Sequence, residues 1–306
     1  DDDFFGFRTT DFTITLEPAA QLEISIAPMT SVRKIGEVYQ NFFNTLDAVL
    51  SEYGYAIYHL GCQPLSRVAG MEMMRGTASL QISIDYQSET DFRKKLQTAY
   101  YYAPILKLFC DHAPSFQGEK LHTCLKRTDI WRRTDPFRSG ILPNVFSESY
   151  GFGDYADFLG SMPPIFLKQG DQIYPTGFQT VAELFEGKDM DENEITHVLS
   201  MAFPDVRLKQ FLELRFADSV PLPFMLAYCA LIKGLLYSAE GLEYARSRIS
   251  DDQVTPEAVR KAEDALMEQG WRADIYNRPV KELAKTLLSL ARRGLSPNEQ
   301  MYLDAF

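Results

Sequence analysis

The sequence contains few cysteines. Only four of its 306 residues are cysteine, at Cys62, Cys110, Cys124 and Cys229, and no pair has the C-x-x-C spacing of zinc or redox sites. Neither a zinc site nor a disulfide framework is therefore expected. Because thiols remain reduced in the cytosol, the spacing favours a cytoplasmic location.

Motifs of several common enzyme classes are also missing from the sequence. It has neither a Walker A sequence nor G-x-G-x-x-G, which argues against a P-loop or Rossmann nucleotide site. No G-x-S-x-G segment presents a serine nucleophile. The four histidines have neither H-x-H nor H-E-x-x-H spacing, so we expect structural roles for them.

The chain has no excess of positive charge and no apolar run of transmembrane length. Its net charge of -11 argues against nucleic acid or an anionic membrane as the main partner. No signal peptide is recognisable at the start, DDDFFGF, and we expect residues upstream of Asp1. Hydrophobic residues make up 45% of the chain, enough for a substantial core in one large domain or two.

A strict alternation of polar and apolar residues extends from Thr13 to Ser25. It predicts one strand, or a strand pair bent at Pro18, with one apolar and one polar face. The polar face includes Glu17, Gln21 and Glu23. Carboxylate oxygens suit Mg²⁺, so this face is a candidate metal site. The alternative is that both glutamates are solvated residues of a half-exposed sheet.

Two later segments repeat this pattern. In GTASLQISIDY, Gln81 lies on the polar side of a predicted strand, and in LELRF, Glu213 and Arg215 share one face. A carboxylate beside a guanidinium suits a metal ion beside a phosphate, whereas the alternative is a structural ion pair. The recurrence of polar faces on three strands favours a functional site.

An arginine-rich segment, RTDIWRRTDPFRSG, lies between these strands and is predicted to be mostly loop. In an acidic protein its arginines are a candidate anion site, and the alternative is a set of surface ion pairs. Helices are expected after Ser31 and Ser88, between Thr255 and Gly270, and through most of residues 221–306.

Five segments, in order, resemble the plant-type glutamate–cysteine ligases, a family shared with many bacteria. ITLEPAAQLEISIAP resembles the family's ITLEPGGQFELSGAP, and FPDVRLKQFLELRFAD resembles FPEVRLK-x-YLE-x-RGAD. The other three segments are MMRGTASLQISIDY, RTDIWRRTDPFRSGILPNVF and YGFGDYADFLGSMPPIF. The similarity extends over almost the whole chain.

The resemblance implies an α+β fold of the glutamine-synthetase type, in which a curved, mostly antiparallel sheet forms a funnel backed by helices. It implies a single domain over residues 1–306 and a first strand that lies upstream of the sequence. The implied enzyme is an ATP-dependent ligase that uses Mg²⁺ and joins the γ-carboxylate of glutamate to the amine of cysteine. No nucleic-acid or membrane partner is implied.

The resemblance also assigns roles to individual residues. The implied metal ligands are Glu17, Glu23 and Glu213. The implied catalytic residues, which would bind phosphate and the transferred group, are Arg207 and Arg215. The implied substrate and nucleotide contacts are Arg127, Arg138, Gln81 and Gln21.

Several positions depart from the family pattern. Ala19 and Ala20 replace two glycines, Ser83 replaces an asparagine, and Phe216 replaces a glycine. The join between Val68 and Ala69 is abrupt, and we expect a loop to be missing there. These departures leave two alternatives open: a related ligase with another acid or amine, and a non-catalytic ligand-binding relative.

Overall fold

The computed structural model describes residues 6–18, 21–65, 75–169 and 172–306. Helices and short strands are interspersed along these described ranges, which confirms the α+β prediction. The replaced glycines at Ala19 and Ala20 and the join between Val68 and Ala69 lie outside the described residues. The single domain over residues 1–306 stays a prediction.

The described strands are short. They are β1 (Gly6–Arg8), β2 (Phe12–Glu17), β3 (Gln21–Ile26), β4 (Ser79–Ile84), β5 (Ser115–Phe116), β6 (Glu119–Lys120), β7 (Ser139–Gly140), β8 (Phe166–Gln169), β9 (Gln172–Pro175), β10 (Phe203–Pro204), β11 (Val206–Leu208), β12 (Leu212–Asp218), β13 (Asp274–Ile275) and β14 (Arg278–Pro279).

The described helices are longer. They are α1 (Val32–Glu52), α2 (Glu89–Phe109), α3 (Lys126–Thr134), α4 (Phe152–Ser161), α5 (Val181–Leu184), α6 (Glu192–Ser200), α7 (Leu222–Leu236), α8 (Ala239–Asp251), α9 (Pro256–Gln269), α10 (Val280–Arg293) and α11 (Pro297–Gln300). Two 3₁₀ turns complete the set, Gly270–Arg272 and Met301–Ala305.

Two antiparallel sheets of three strands each contain the segments with alternating polarity. The first has the order β1-β2-β3, and the second, which we call the central sheet, has the order β11-β12-β4. In the first sheet Glu17 pairs with Gln21, so the chain turns back near Pro18. Residues 13–17 and 21–25 therefore form the predicted strand pair and not one continuous strand. The funnel formed by one larger curved sheet stays a prediction, because the described strands fall into separate small sheets.

The central sheet contains a β-bulge at the position of Arg215. Leu214 pairs with Ile82, but the next pair joins Ala217 to Leu80, so that two residues of β12 lie opposite one residue of β4. Such a bulge bends the strand and removes ladder hydrogen bonds locally. Phe216, in the bulge, and Ala217, the first paired residue after it, are both buried.

Helix α2 forms the centre of the hydrophobic core. Most of its second half is buried, including Tyr100 and Tyr102, which have no exposed surface. At its start the Ser88 hydroxyl accepts a hydrogen bond from the Asp91 amide at 3.2 Å, as the capping pattern predicts. The helix contacts β12, α8 and α9, and thus connects the central sheet to the mainly helical C-terminal part.

Among the described helices, none by itself has both the length and the apolar composition expected of a membrane span. The pair formed by α7 and α8, bent by 74°, meets those two criteria jointly.

Close packing of α7 against α10 leads to a first expectation. A Cβ added to Gly234 would collide with the main chain of Ala291. Gly234→Ala should therefore destabilise the fold by about 1–3 kcal/mol, since backbone atoms cannot move aside as a flexible side chain can. The measurement is urea unfolding followed by circular dichroism.

The matched control is Gly153→Ala in α4, where an added Cβ meets nothing within 4 Å. This variant should be stabilised by roughly 0.4–1 kcal/mol, because alanine lowers the entropy of the unfolded chain. Equal stability changes in the two variants would contradict the proposed helix contact.

Candidate active site

Polar side chains project from one face of the central sheet. Glu213 of β12 pairs with Ser83 of β4 on one side and with Arg207 of β11 on the other. Because side chains alternate along a strand, Gln81 and Arg215 lie on the same face. Leu214 projects from the opposite face into the core, where it is fully buried.

Three cations surround the buried carboxylate of Glu213. Its Oε2 accepts hydrogen bonds from Arg207 Nε at 2.8 Å and from Arg215 Nη1 at 2.7 Å, and its Oε1 accepts one from Lys209 Nζ at 2.8 Å. Burial favours the neutral acid, but the charges of Arg215 and Arg207 and the bonds from Lys209 outweigh it and lower the pKa of Glu213 to about 2. The cluster combines three positive charges with one negative charge and therefore favours an anion.

The side chain of Arg215 also contacts the neighbouring strand. Its Nη1 donates to Oε1 of Gln81 at 3.1 Å, and its guanidinium lies 5.9 Å from the ring centre of Phe203. Arg207 donates from Nη1 to the carbonyl of Ala202 at 3.3 Å. These contacts fix both guanidinium groups on the polar face.

Next to Arg215 a small cleft of about 30 Å³ is lined by positive side chains. Lys107, Arg127, Arg132 and Arg215 line it, together with one carboxylate, Asp205. This volume holds one or two water molecules, so a larger ligand can enter only if the walls move apart.

Arg127 is buried and supports the bulge of β12. Its Nη1 donates to the carbonyl of Phe216 at 3.3 Å, and its Nη2 donates to the carbonyl of Arg215. Residues 126–134 form helix α3, which corrects the prediction of a mostly loop-like segment. Burial is also the main cause that lowers the pKa of Arg127.

The other arginines of this segment are engaged in ion pairs. Arg138 Nε lies 2.6 Å from an Asp135 oxygen, and Arg133 Nη2 lies 2.7 Å from an Asp129 oxygen. Arg138 is therefore not among the side chains hydrogen-bonded to Glu213. Its role as a substrate contact stays a prediction.

Glu17, Gln21 and Glu23 belong to the first sheet, whereas Glu213 belongs to the central sheet. Glu17 and Glu23 are exposed, and one oxygen of Glu23 accepts a hydrogen bond from the Ser25 hydroxyl at 3.0 Å. Among the described residues, no group of three or more His, Cys, Asp or Glu side chains is arranged to hold a metal ion. As arranged here, the three glutamates do not fit Mg²⁺, and their role as ligands stays a prediction.

Sequence reasoning missed Lys209, Lys107 and Asp205. The sequence does contain a signal for Lys209. Arg207 and Lys209 are two positions apart on one side of a turn, and Glu213 and Arg215 are two positions apart on the other side, so all four can lie on one face. Lys107 carries no such signal, because a lysine inside a helix is normally exposed.

Comparison with known proteins identifies the family. Residues 66–305 match the model of glutamate-cysteine ligase family 2, and the chain belongs to this family. It is 26% identical to the chloroplastic glutamate–cysteine ligase of Arabidopsis thaliana, over 96% of this chain and 62% of the relative. It is 28% identical to chloroplastic glutamate–cysteine ligase B of Oryza sativa subsp. japonica, over 95% of this chain and 64% of the relative. The chain thus spans slightly less than two thirds of these curated relatives.

The relatives also correct one prediction. Each of the two is named as a chloroplastic protein, which contradicts the cytoplasmic location predicted from cysteine spacing. The cysteine spacing argues against a disulfide framework, but it does not determine the compartment in which a protein is located.

The lowered pKa of Glu213 leads to an expected pH dependence. Because its folded-state pKa, about 2, lies below the usual 4.5, the ionised form stabilises the fold above pH 4.5, and this contribution is lost as the pH falls towards 2. The shift corresponds to about 3 kcal/mol, which Glu213→Gln should remove. The measurement is urea unfolding between pH 3 and pH 7.

Glu268→Gln is the control, because Glu268 is an exposed glutamate of α9. Its stability profile should follow that of the original protein. If Glu213→Gln gave that same profile, the cations around Glu213 would not stabilise its charge.

Proposed function

We propose that this chain contains the active site of an ATP-dependent glutamate–cysteine ligase, the enzyme of the first step of glutathione biosynthesis. Membership of glutamate-cysteine ligase family 2 and the names of the relatives support the proposal. The glutamine-synthetase-like funnel and the single domain over residues 1–306 belong to the same proposal.

The proposed chemistry activates a poor electrophile. An oxygen of the glutamate γ-carboxylate bonds to the γ-phosphorus of ATP, the bond to the bridging oxygen breaks, and ADP leaves. The amine of cysteine then attacks the carbonyl carbon of the acyl phosphate, phosphate leaves, and the nitrogen loses a proton. Such transfer depends on alignment and on stabilisation of developing negative charge more than on a covalent side chain.

The observation that carries the proposal is the cation cluster around Glu213. Arg207 and Arg215 are held by one carboxylate, and Lys209 adds a third positive charge on the same face. Positioned positive groups stabilise the charge that develops on a transferred phosphoryl group. In the proposal, Arg207 and Arg215 contact that group.

We assign the remaining predicted residues to substrate binding. Arg127 and Gln81 border the cluster through their contacts with Arg215, and we assign them to glutamate or nucleotide binding. Arg138 and Gln21 are proposed for the same purpose on the resemblance alone. The cleft beside Arg215 has the positive lining that a carboxylate substrate requires, and it would widen when the substrate enters.

Mg²⁺ remains part of the proposal through the family resemblance. When bound with ATP, the ion would supply neutralisation of phosphate charge. Glu17, Glu23 and Glu213 are the proposed ligands, although the described arrangement does not bring them together.

The direct test is an assay of ADP and phosphate release by the purified chain with ATP and Mg²⁺. Sustained release is expected only when glutamate and cysteine are both present, because the acid forms the acyl phosphate and the amine displaces phosphate from it. Turnover with a different acid or amine would identify a related ligase instead. Nucleotide binding without phosphate release across a broad amino-acid screen would favour a non-catalytic relative.

Arg215→Lys tests the role assigned to the cluster. The variant retains the charge but loses the planar guanidinium that contacts Glu213 and Gln81 together. We expect kcat to fall about 100-fold. Arg246→Lys, at an exposed ion pair of α8, should leave kcat unchanged. An equally active Arg215→Lys variant would show that Arg215 takes no part in phosphoryl transfer.

A further inference from the structure

A chain of alternating charges extends from the helical C-terminal part towards the central sheet. Lys107 of α2 is at its centre, with Nζ 2.6 Å from Glu263 Oε1 and 2.7 Å from Asp205 Oδ2. The other oxygen of Glu263 accepts a hydrogen bond from Arg132 of α3. We call Asp205, Lys107, Glu263 and Arg132 the buried ionic chain.

The two central members lie in the protein interior. The side chains of Lys107 and Glu263 are 2% and 1% exposed. Transfer of two charges out of water costs much of what their attraction returns, so a buried ion pair is weak evidence for added stability. A buried pair does, however, restrict the relative positions of the elements that it connects.

One end of the buried ionic chain reaches the main chain of the candidate site. The carbonyl of Asp205 accepts a hydrogen bond from the Arg215 amide at 2.9 Å, and the amide of Asp205 donates to the Gly140 carbonyl at 2.8 Å. Asp205 directly precedes β11, which contains Arg207. A shift of Asp205 would therefore move both arginines of the cation cluster.

Lys107 also contacts the strand that contains Arg215. Its Nζ lies 6.0 Å from the ring centre of Phe216, the residue after Arg215 in the bulge. The regular ladder to β4 is interrupted there, so fewer strand hydrogen bonds fix the position of Arg215. The Arg215 amide is held on the β11 side by the Asp205 carbonyl, and the carbonyls of Arg215 and Phe216 are held by Arg127.

We propose that Glu263 and Lys107 are positioning residues, which hold Asp205 and through it orient Arg215 for phosphoryl transfer. This inference rests on the proposed function. Among the described contacts, Glu263 has none with Arg207, Glu213 or Arg215; it is connected to them through Lys107 and Asp205, and on its other side it binds Arg132, which also lines the cleft beside Arg215. The competing explanation is that the buried ionic chain only stabilises the fold.

The kinetic test uses Glu263→Gln, which removes the charge but preserves the shape of the side chain. Since Arg215 acts in the transition state, we expect kcat to fall between about 2-fold and 30-fold, with KM for ATP and glutamate nearly unchanged. A purely structural role would lower only the amount of folded enzyme, and kcat per folded molecule would then be unchanged. That result would overturn the proposal.

Asp264→Asn is the matched control. Asp264 is the neighbouring residue and pairs with the same Arg132, but its side chain is 56% exposed and contacts neither Lys107 nor Asp205. The control should retain the original kcat and KM. A decrease in kcat equal to that of Glu263→Gln would show that any lost partner of Arg132 has this effect, and the proposal would be wrong.

Asp205→Asn provides a second variant in case Glu263→Gln is too unstable to assay. It breaks the other ion pair of Lys107 and leaves the interior pair with Glu263 in place. It should reproduce the decrease in kcat, and the double variant Asp205→Asn/Glu263→Gln should lose no more than the single variants, because both act through one route. Independent losses that multiply would contradict that route.

Amide hydrogen exchange separates this inference from the proposed function, because it needs no turnover. In Glu263→Gln, peptides covering residues 212–218 should exchange faster, while peptides from α7 and all peptides of Asp264→Asn should exchange as in the original protein. If the original protein shows no ligase activity, the proposed function fails while exchange still tests the ionic chain. Unchanged exchange at residues 212–218 would overturn the positioning role.

Discussion

The attraction between the Glu213 carboxylate and its three cations is the interaction on which the candidate site depends. Without that carboxylate, Arg207 and Arg215 would repel each other on adjacent strands. With it, two guanidinium groups and one ammonium group are held on one side of a short sheet. The opposite side of β12 packs into the core against α2, so the backbone that carries the cations is held in place. Electrostatic stabilisation of a transferred group requires such preorganised charge.

In this arrangement the carboxylate of Glu213 binds arginine side chains and is not free to bind a metal ion. Both of its oxygens accept hydrogen bonds from cations, and each of these bonds would compete with a metal ion for the same lone pairs. A carboxylate that binds Mg²⁺ would have to exchange at least one of these partners. Nucleotide phosphates attract the same arginines. Their binding would therefore change how far Arg207 and Arg215 neutralise the charge of Glu213.

The sequence allowed the local features of the site to be predicted, but not the long-range ones. Alternation with a period of two placed Gln81, Glu213 and Arg215 on polar faces, and hydrogen bonds do join these three side chains. The ion pair between Lys107 and Glu263 joins positions 156 residues apart, and no local pattern indicates such a pair. The many charged residues of Lys126–Thr134 obscure its apolar period, so the sequence predicts a loop where the structure has a helix.

The bulge in β12 has a consequence for changes in chain length. Asp218 lies three residues beyond Arg215, is buried, and accepts a hydrogen bond from the His112 amide at 3.0 Å. Leu214 and Ala217 are three positions apart, yet both lie opposite core-facing residues of β4, and only the bulge makes this possible; in a regular ladder of the same residues Ala217 would point outwards and Asp218 away from His112. A homologous strand that lacks one residue here could form a regular ladder and still keep the partners of Ala217 and Asp218, so the bulge is the place at which this strand tolerates a change of length.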